Sequence, residues 1–129
     1  MAKAKILLVE DDDDSRHAVC TVLEALGYEV KACPEGQSAI LAVRASITTG
    51  TLFNLGLFDI MLPGMNGYEV LQEVKKNAQY KNLPCVMLTA KDADTEMLEG
   101  YKYGADYYIP KPFTPKQLQY GVELFLGEM

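Results

Sequence analysis

The chain has 129 residues, 49% of them hydrophobic and 23% charged, with a formal net charge of −6 at pH 7. That length fits one domain around one core, and the composition leaves no case for disorder or a coiled coil. Phosphate contacts need clustered lysine and arginine, so an acidic chain of this kind is not expected to bind nucleic acid directly.

The first apolar run, Ile6-Leu7-Leu8-Val9, is too short for a signal-peptide core or a membrane span. No membrane partner and a cytoplasmic location are expected. Without polar alternation the run reads as a strand buried on both faces. An amphipathic helix follows, with Ala18, Val19, Val22, Leu23 and Leu26 at three- and four-residue spacings, Asp13 or Asp14 as its cap and Gly27 as its stop. A weaker strand is predicted over 28–33 and a helix over 37–45. Residues 46–56 predict a long helix-to-strand connection, because Thr48, Thr49, Gly50 and Thr51 are loop formers and Gly56 interrupts the third strand, 55–58. Beyond it the pattern predicts a helix over 68–77, a strand over 86–88, a helix over 95–103, a strand over 106–110 and a helix over 115–126. Thr114 and Pro115 supply the cap and first turn of the last helix. Cys20, Cys33 and Cys85 form no C-x-x-C pair and read as free thiols in a reducing compartment.

Alternating strands and helices imply an α/β fold, a doubly wound parallel sheet forming one domain over 1–129. Ligands of such sheets sit outside the carboxyl ends of the strands. Those ends carry Glu10, Asp11 and Asp12 after the first strand, Asp59 after the third, Thr89 after the fourth and Lys111 after the fifth. Carboxylates crowded at one rim repel each other unless a cation sits among them. A hard divalent ion is therefore implied, Mg²⁺ in preference to Ca²⁺, since magnesium is commonly held by one or two carboxylates plus water and phosphate oxygens. Lys111 and Thr89 could hold a phosphoryl group opposite the ion, which is most of what phosphoryl transfer requires. Asp59 is the natural nucleophile: it follows a buried strand and precedes the turn-rich segment Met61-Leu62-Pro63-Gly64-Met65-Asn66-Gly67.

The segments I-L-L-V-E-D-D (6–12), D-I-M-L-P-G-M-N-G (59–67), V-M-L-T-A (86–90) and G-A-D-Y-Y-I-P-K-P-F (104–113) strongly resemble bacterial response-regulator receivers, over roughly the whole chain. The resemblance implies a five-stranded, flavodoxin-like sheet of order 2-1-3-4-5 and a two-component phosphorelay function. Residue by residue it implies that Glu10, Asp11 and Asp59 hold Mg²⁺, for which Mn²⁺ can substitute, with the backbone carbonyl of Met61. Asp59 is then the phosphoacceptor, and Thr89 and Lys111 grip the phosphoryl oxygens. Ala90 leaves an access path for the donor. Tyr108 matches the family's aromatic switch, coupled to Thr89, and Lys111-Pro112 matches a peptide bond that members hold cis. The implied partners are a sensor histidine kinase or phosphotransfer protein, and a downstream protein or covalently linked output module. The implied output face comprises 95–103, 106–110 and 115–126.

Other positions depart from the family pattern. Asn54-Leu55-Gly56 stands where an acidic residue and an aliphatic run are common, so an irregular third strand is expected. Tyr107, Gln117 and Gly121 replace the charged set of receivers that dimerise through the output face, which argues against that mode here. Met61 and Lys91 occupy positions that tune dephosphorylation. A thioether cannot orient water well, so a phosphoryl lifetime of minutes or longer is expected. Asp12, Asp13 and Asp14 fit helix-start charges better than ligands, and His17 has no metal partner in view. Tyr101, Tyr103, Tyr107 and Tyr120 read as boundary packing, as do Met65, Met87 and Met97 in the core. A nucleotide-binding enzyme would need a glycine-rich loop that the chain lacks. A phosphatase of the haloacid-dehalogenase type would need an acid at the place of Met61. A pseudo-receiver would have lost a pocket residue.

Overall fold

Five short strands pair side by side in the computed structural model, which describes residues 3–89 and 104–127. Strands β1 (Lys5–Val9), β2 (Glu29–Cys33), β3 (Leu55–Asp59), β4 (Cys85–Thr89) and β5 (Tyr107–Pro110) form one parallel sheet of order β2-β1-β3-β4-β5. Four helices flank it among the described residues: α1 (Asp13–Ala25), α2 (Gly36–Thr49), α3 (Gly67–Lys75) and α4 (Pro115–Leu126). The doubly wound architecture and strand order are those expected. The helix predicted over 95–103, with Ala90, Lys91, Met97, Tyr101 and Tyr103, lies outside the described residues.

The sheet has a core on each face because side chains alternate along each strand. Leu7, Val9, Phe58, Met87 and Tyr108 face one way, against α2 and α3 residues such as Val43, Val70 and Leu71. Ile6, Leu8, Leu57, Leu88 and Ile109 face the other, against Val19 and Leu23 of α1 and Leu118 and Val122 of α4. Every residue of β3 and β4 is buried, which accounts for runs with no polar alternation.

Three expectations are corrected. The cap of α1 is Asp12, not Asp13 or Asp14; its carboxylate accepts a hydrogen bond from the Ser15 amide at 2.8 Å. The helix expected over 37–45 runs on to Thr49, so residues 46–49 of the expected connection are helical and the loop shortens to 50–54. In α2 the Thr48 and Thr49 hydroxyls donate to the carbonyls of Arg44 and Ala45, one turn back. Ser46 is buried, its hydroxyl bonded to the Val43 carbonyl and to the Tyr80 hydroxyl at 2.5 Å. Gly50 closes the helix at φ 77°. The third strand is regular, because Gly56 leaves the space that the Phe58 ring fills: a Cβ there would lie 2.7 Å from that ring.

Candidate functional site

The parallel register brings the ends of β1, β3, β4 and β5 to one rim. The Glu10 amide extends the ladder to the Cys33 carbonyl at 3.0 Å, Ile60 bonds Leu88 at 3.0 Å, and Lys111 bonds Thr89 at 2.6 Å. Glu10, Asp59 and Thr89 are three of the four buried polar or charged side chains among the described residues. Burying such groups is costly unless they are paired. Here the Lys111 ammonium lies 2.6 Å from Glu10 Oε1 and 2.8 Å from Asp59 Oδ2. Asp59 Oδ1 accepts from the Met61 amide at 3.0 Å.

The pairing is incomplete. Glu10 Oε2 is buried without a hydrogen-bond partner, and single carboxylate oxygens of Glu10, Asp11 and Asp59 lie within 4.8 Å of one another. Burial, reinforced by the neighbouring Asp59 and opposed by Lys111, pushes the Glu10 carboxyl up to about 7. Burial lowers the Lys111 pKa, but the hydrogen bonds and charges of Asp59 and Glu10 outweigh it and hold the ammonium above its usual value. Three oxygen donors, one an orphan in a buried setting, form a set that suits a hard divalent cation.

The other acids are accounted for as helix-start charges. Asp12 caps α1, and the Ser15 backbone bond holds its carboxyl below the usual range. Asp13 pairs with Arg16, and His17 is exposed. Arg16 was not singled out from sequence, yet its guanidinium donates to the carbonyls of Glu10 at 3.0 Å and Asp11 at 3.4 Å and so fixes the acidic turn. Its place one turn into a helix that starts with acids was the available signal.

Gly67 fixes the Asp59 side. Its amide donates to the Ile60 carbonyl at 2.9 Å, and a Cβ on it would lie 2.3 Å from the Asp59 carbonyl oxygen. Asn66 caps α3, accepting from Glu69 while Glu69 accepts from the Asn66 amide. The Lys111-Pro112 peptide is cis. A groove of about 630 Å³ opens beside Asp59, Met61 and Lys111, walled by Ala18, Val19 and Val22 of α1 and by Phe113, Pro115 and Leu118. Tyr108 is buried, its hydroxyl 3.0 Å from that of Tyr68. The sequence gives Tyr68 no special mark beyond its place after Asn66-Gly67.

Residues 6–123 match the model of the response regulator receiver domain. The chain belongs to that family. A receiver is a signalling domain that works by phosphorylation. The chain is 38% identical over 117 residues to the probable transcriptional regulator ycf27 of Galdieria sulphuraria, covering 91% of this chain and 43% of that protein. It spans about half the length of the curated relatives it matches. Among solved structures, the chemotaxis protein CheY4 of Vibrio cholerae superposes with a TM-score of 0.89 at 31% identity, covering 96% of this chain and 99% of that one. The receiver domain of sensor histidine kinase PA1611 from Pseudomonas aeruginosa, solved with a magnesium ion coordinated in the active site cleft, gives 0.85 at 26% identity, covering 98% of this chain and 100% of that one. No helix among the described residues of this receiver is long and apolar enough to cross a membrane.

Proposed function

We propose that this receiver, acting as one unit over 1–129, takes a phosphoryl group onto Asp59 from a kinase phosphohistidine and thereby changes the surface it shows to its target. The observation that carries the reading is the Glu10–Lys111–Asp59 constellation: a buried carboxylate at the tip of the central strand, held 2.8 Å from an ammonium and beside an acid with an unpartnered oxygen. An Asp59 oxygen attacks phosphorus as the bond to the donor's histidine nitrogen breaks, giving an aspartyl phosphate and a histidine that picks up a proton. Lys111 then exchanges its contact with Asp59 for one with a phosphoryl oxygen, and the Thr89 hydroxyl donates to another. Glu10, Asp11 and Asp59, with the Met61 carbonyl, would hold Mg²⁺ or Mn²⁺, which supplies charge neutralisation for the phosphoryl oxygens. The apolar groove beside Asp59 seats the donor protein. Hydrolysis of the acyl phosphate is slow, since exposed Met61 offers water no strong acceptor.

Output is read from β5 and α4, where Tyr107 and exposed Tyr120 pack with ring centroids 6.3 Å apart, through a downstream protein or a linked module in the cytoplasm. Gly121 faces inward there, since a Cβ on it would lie 2.7 Å from Ile109, and a charged pairing residue has no place at that position.

Acetyl phosphate and Mg²⁺ should label the wild type covalently and leave Asp59→Asn unlabelled; labelling that survives in Asp59→Asn refutes the choice of nucleophile. Beryllofluoride with Mg²⁺ should bind the wild type, and a failure to bind would mark an interaction module that never takes phosphate.

A further inference from the structure

Tyr108 projects from edge strand β5 into the same apolar cluster as Tyr68, Met87 and Ala105, and its hydroxyl meets that of Tyr68 at 3.0 Å. Both tyrosines are buried, at 4% and 8% exposure, so this contact is made out of water, where breaking it carries the most weight. Tyr68 is also tied mechanically to the proposed phosphoacceptor. It follows Gly67, whose Cα sits against the Asp59 carbonyl and whose amide is bonded to Ile60. A Cβ on Gly67 would also touch the Met87 methyl group at 2.9 Å, and Met87 is the register partner of Tyr108. A path of direct contacts therefore runs from Asp59 through Gly67 and Tyr68 to Tyr108, separate from the strand end that carries Thr89.

We infer that Tyr68 is a positioning residue for the switch: its hydroxyl holds Tyr108 in the inward rotamer and couples that rotamer to the loop that follows Asp59. The inference rests on the receiver reading for its consequence, since an inward Tyr108 is the arrangement expected to accompany the phosphorylated pocket. Tyr68→Phe keeps the ring that fills the core and deletes the contact. One ordinary buried hydrogen bond is worth about fivefold in an equilibrium, so the outward population of Tyr108 should rise by about that factor.

The test places a single 3-fluorotyrosine at position 108 and records its ¹⁹F resonance without phosphodonor. The wild-type resonance should be shielded from a change of H₂O to D₂O, and in Tyr68→Phe it should move toward the exposed, solvent-sensitive position. An unchanged resonance overturns the inference. Beryllofluoride affinity provides the functional arm. Tyr68→Phe and Tyr108→Phe should each weaken it, by up to about fivefold, and the double variant no more than the stronger single. Independent, multiplying effects, or a Tyr68→Phe variant altered only in melting temperature, overturn the coupling. If Tyr68→Phe folds poorly, Tyr108→Phe with the fluorine at position 68 interrogates the same contact from the other side. A wild type that ignores beryllofluoride sinks the receiver chemistry, while the fluorine arm still judges the tyrosine contact.

Discussion

The Glu10 carboxyl should make divalent-ion binding a proton-linked event. Its pKa stands at about 7 because the side chain is buried and faces Asp59, with Lys111 only partly compensating. A hard cation requires the carboxylate, so the apparent dissociation constant varies inversely with the ionised fraction of Glu10. With one titrating group near 7, Mg²⁺ should bind roughly tenfold more weakly at about pH 6 than at about pH 8, releasing about one proton per ion at the lower value. Calorimetric titration in two buffers of different ionisation enthalpy measures both the affinity and the protons released, and suits a chain without tryptophan. Glu10→Gln should bind more weakly throughout and lose the slope. An affinity constant within twofold across that range, or a slope that persists in Glu10→Gln, refutes the reasoning. The same shift has a stability consequence: without a divalent ion the folded chain holds the Glu10 proton more tightly than the unfolded chain does. The contribution of Glu10 is therefore full below about 4.5 and lost as the pH rises through about 7. Mg²⁺ should accordingly raise the melting temperature more at about pH 8 than at about pH 6.

Tyr80→Phe should cost about 1–3 kcal/mol, because the Tyr80 hydroxyl accepts from the buried Phe53 amide at 2.9 Å and bonds Ser46 at 2.5 Å. Chemical denaturation checks this, and a neutral substitution would show that the Phe53 amide finds another partner. Gly67→Ala should cost about 1–3 kcal/mol by overpacking and slow acetyl phosphate labelling, since its Cβ would meet the Asp59 carbonyl at 2.3 Å; wild-type stability and rate would contradict the close approach. The phosphoryl group on the isolated wild type should persist for minutes or longer, followed by loss of label, and Met61→Asn should shorten that lifetime. A wild-type half-life of seconds contradicts the role given to Met61.

The alternation of strands and helices and the meeting of Glu10, Asp59 and Lys111 at one rim were legible because they follow from apolar runs and from what ends each run, whereas the strand order came from the family resemblance. The miss over 46–56 has a physical cause. Threonine and serine carry loop propensity when read alone, but in α2 their hydroxyls return to carbonyls one turn back, and the partner that anchors Ser46 is Tyr80, more than thirty residues away. Gly56 signalled an interruption because the eye sees a missing side chain, whereas the neighbouring Phe58 ring occupies that volume. Arg16 and Tyr68 escaped notice for a related reason: each acts through a contact that spacing does not encode, a guanidinium on two backbone carbonyls and a hydroxyl on a hydroxyl across the core.

The rim strand β5 carries Tyr108, and Lys111 follows directly from its end, only three positions further along the chain. It has a hydrogen-bonded neighbour on one side alone, whereas β3, which ends in Asp59, is clamped between β1 and β4. A pull on the Lys111 ammonium would therefore load an edge strand paired on one side alone, and the Tyr108 ring carried by that strand would be displaced with it. In a switch of that design β3 would be the anchor and β5 the lever.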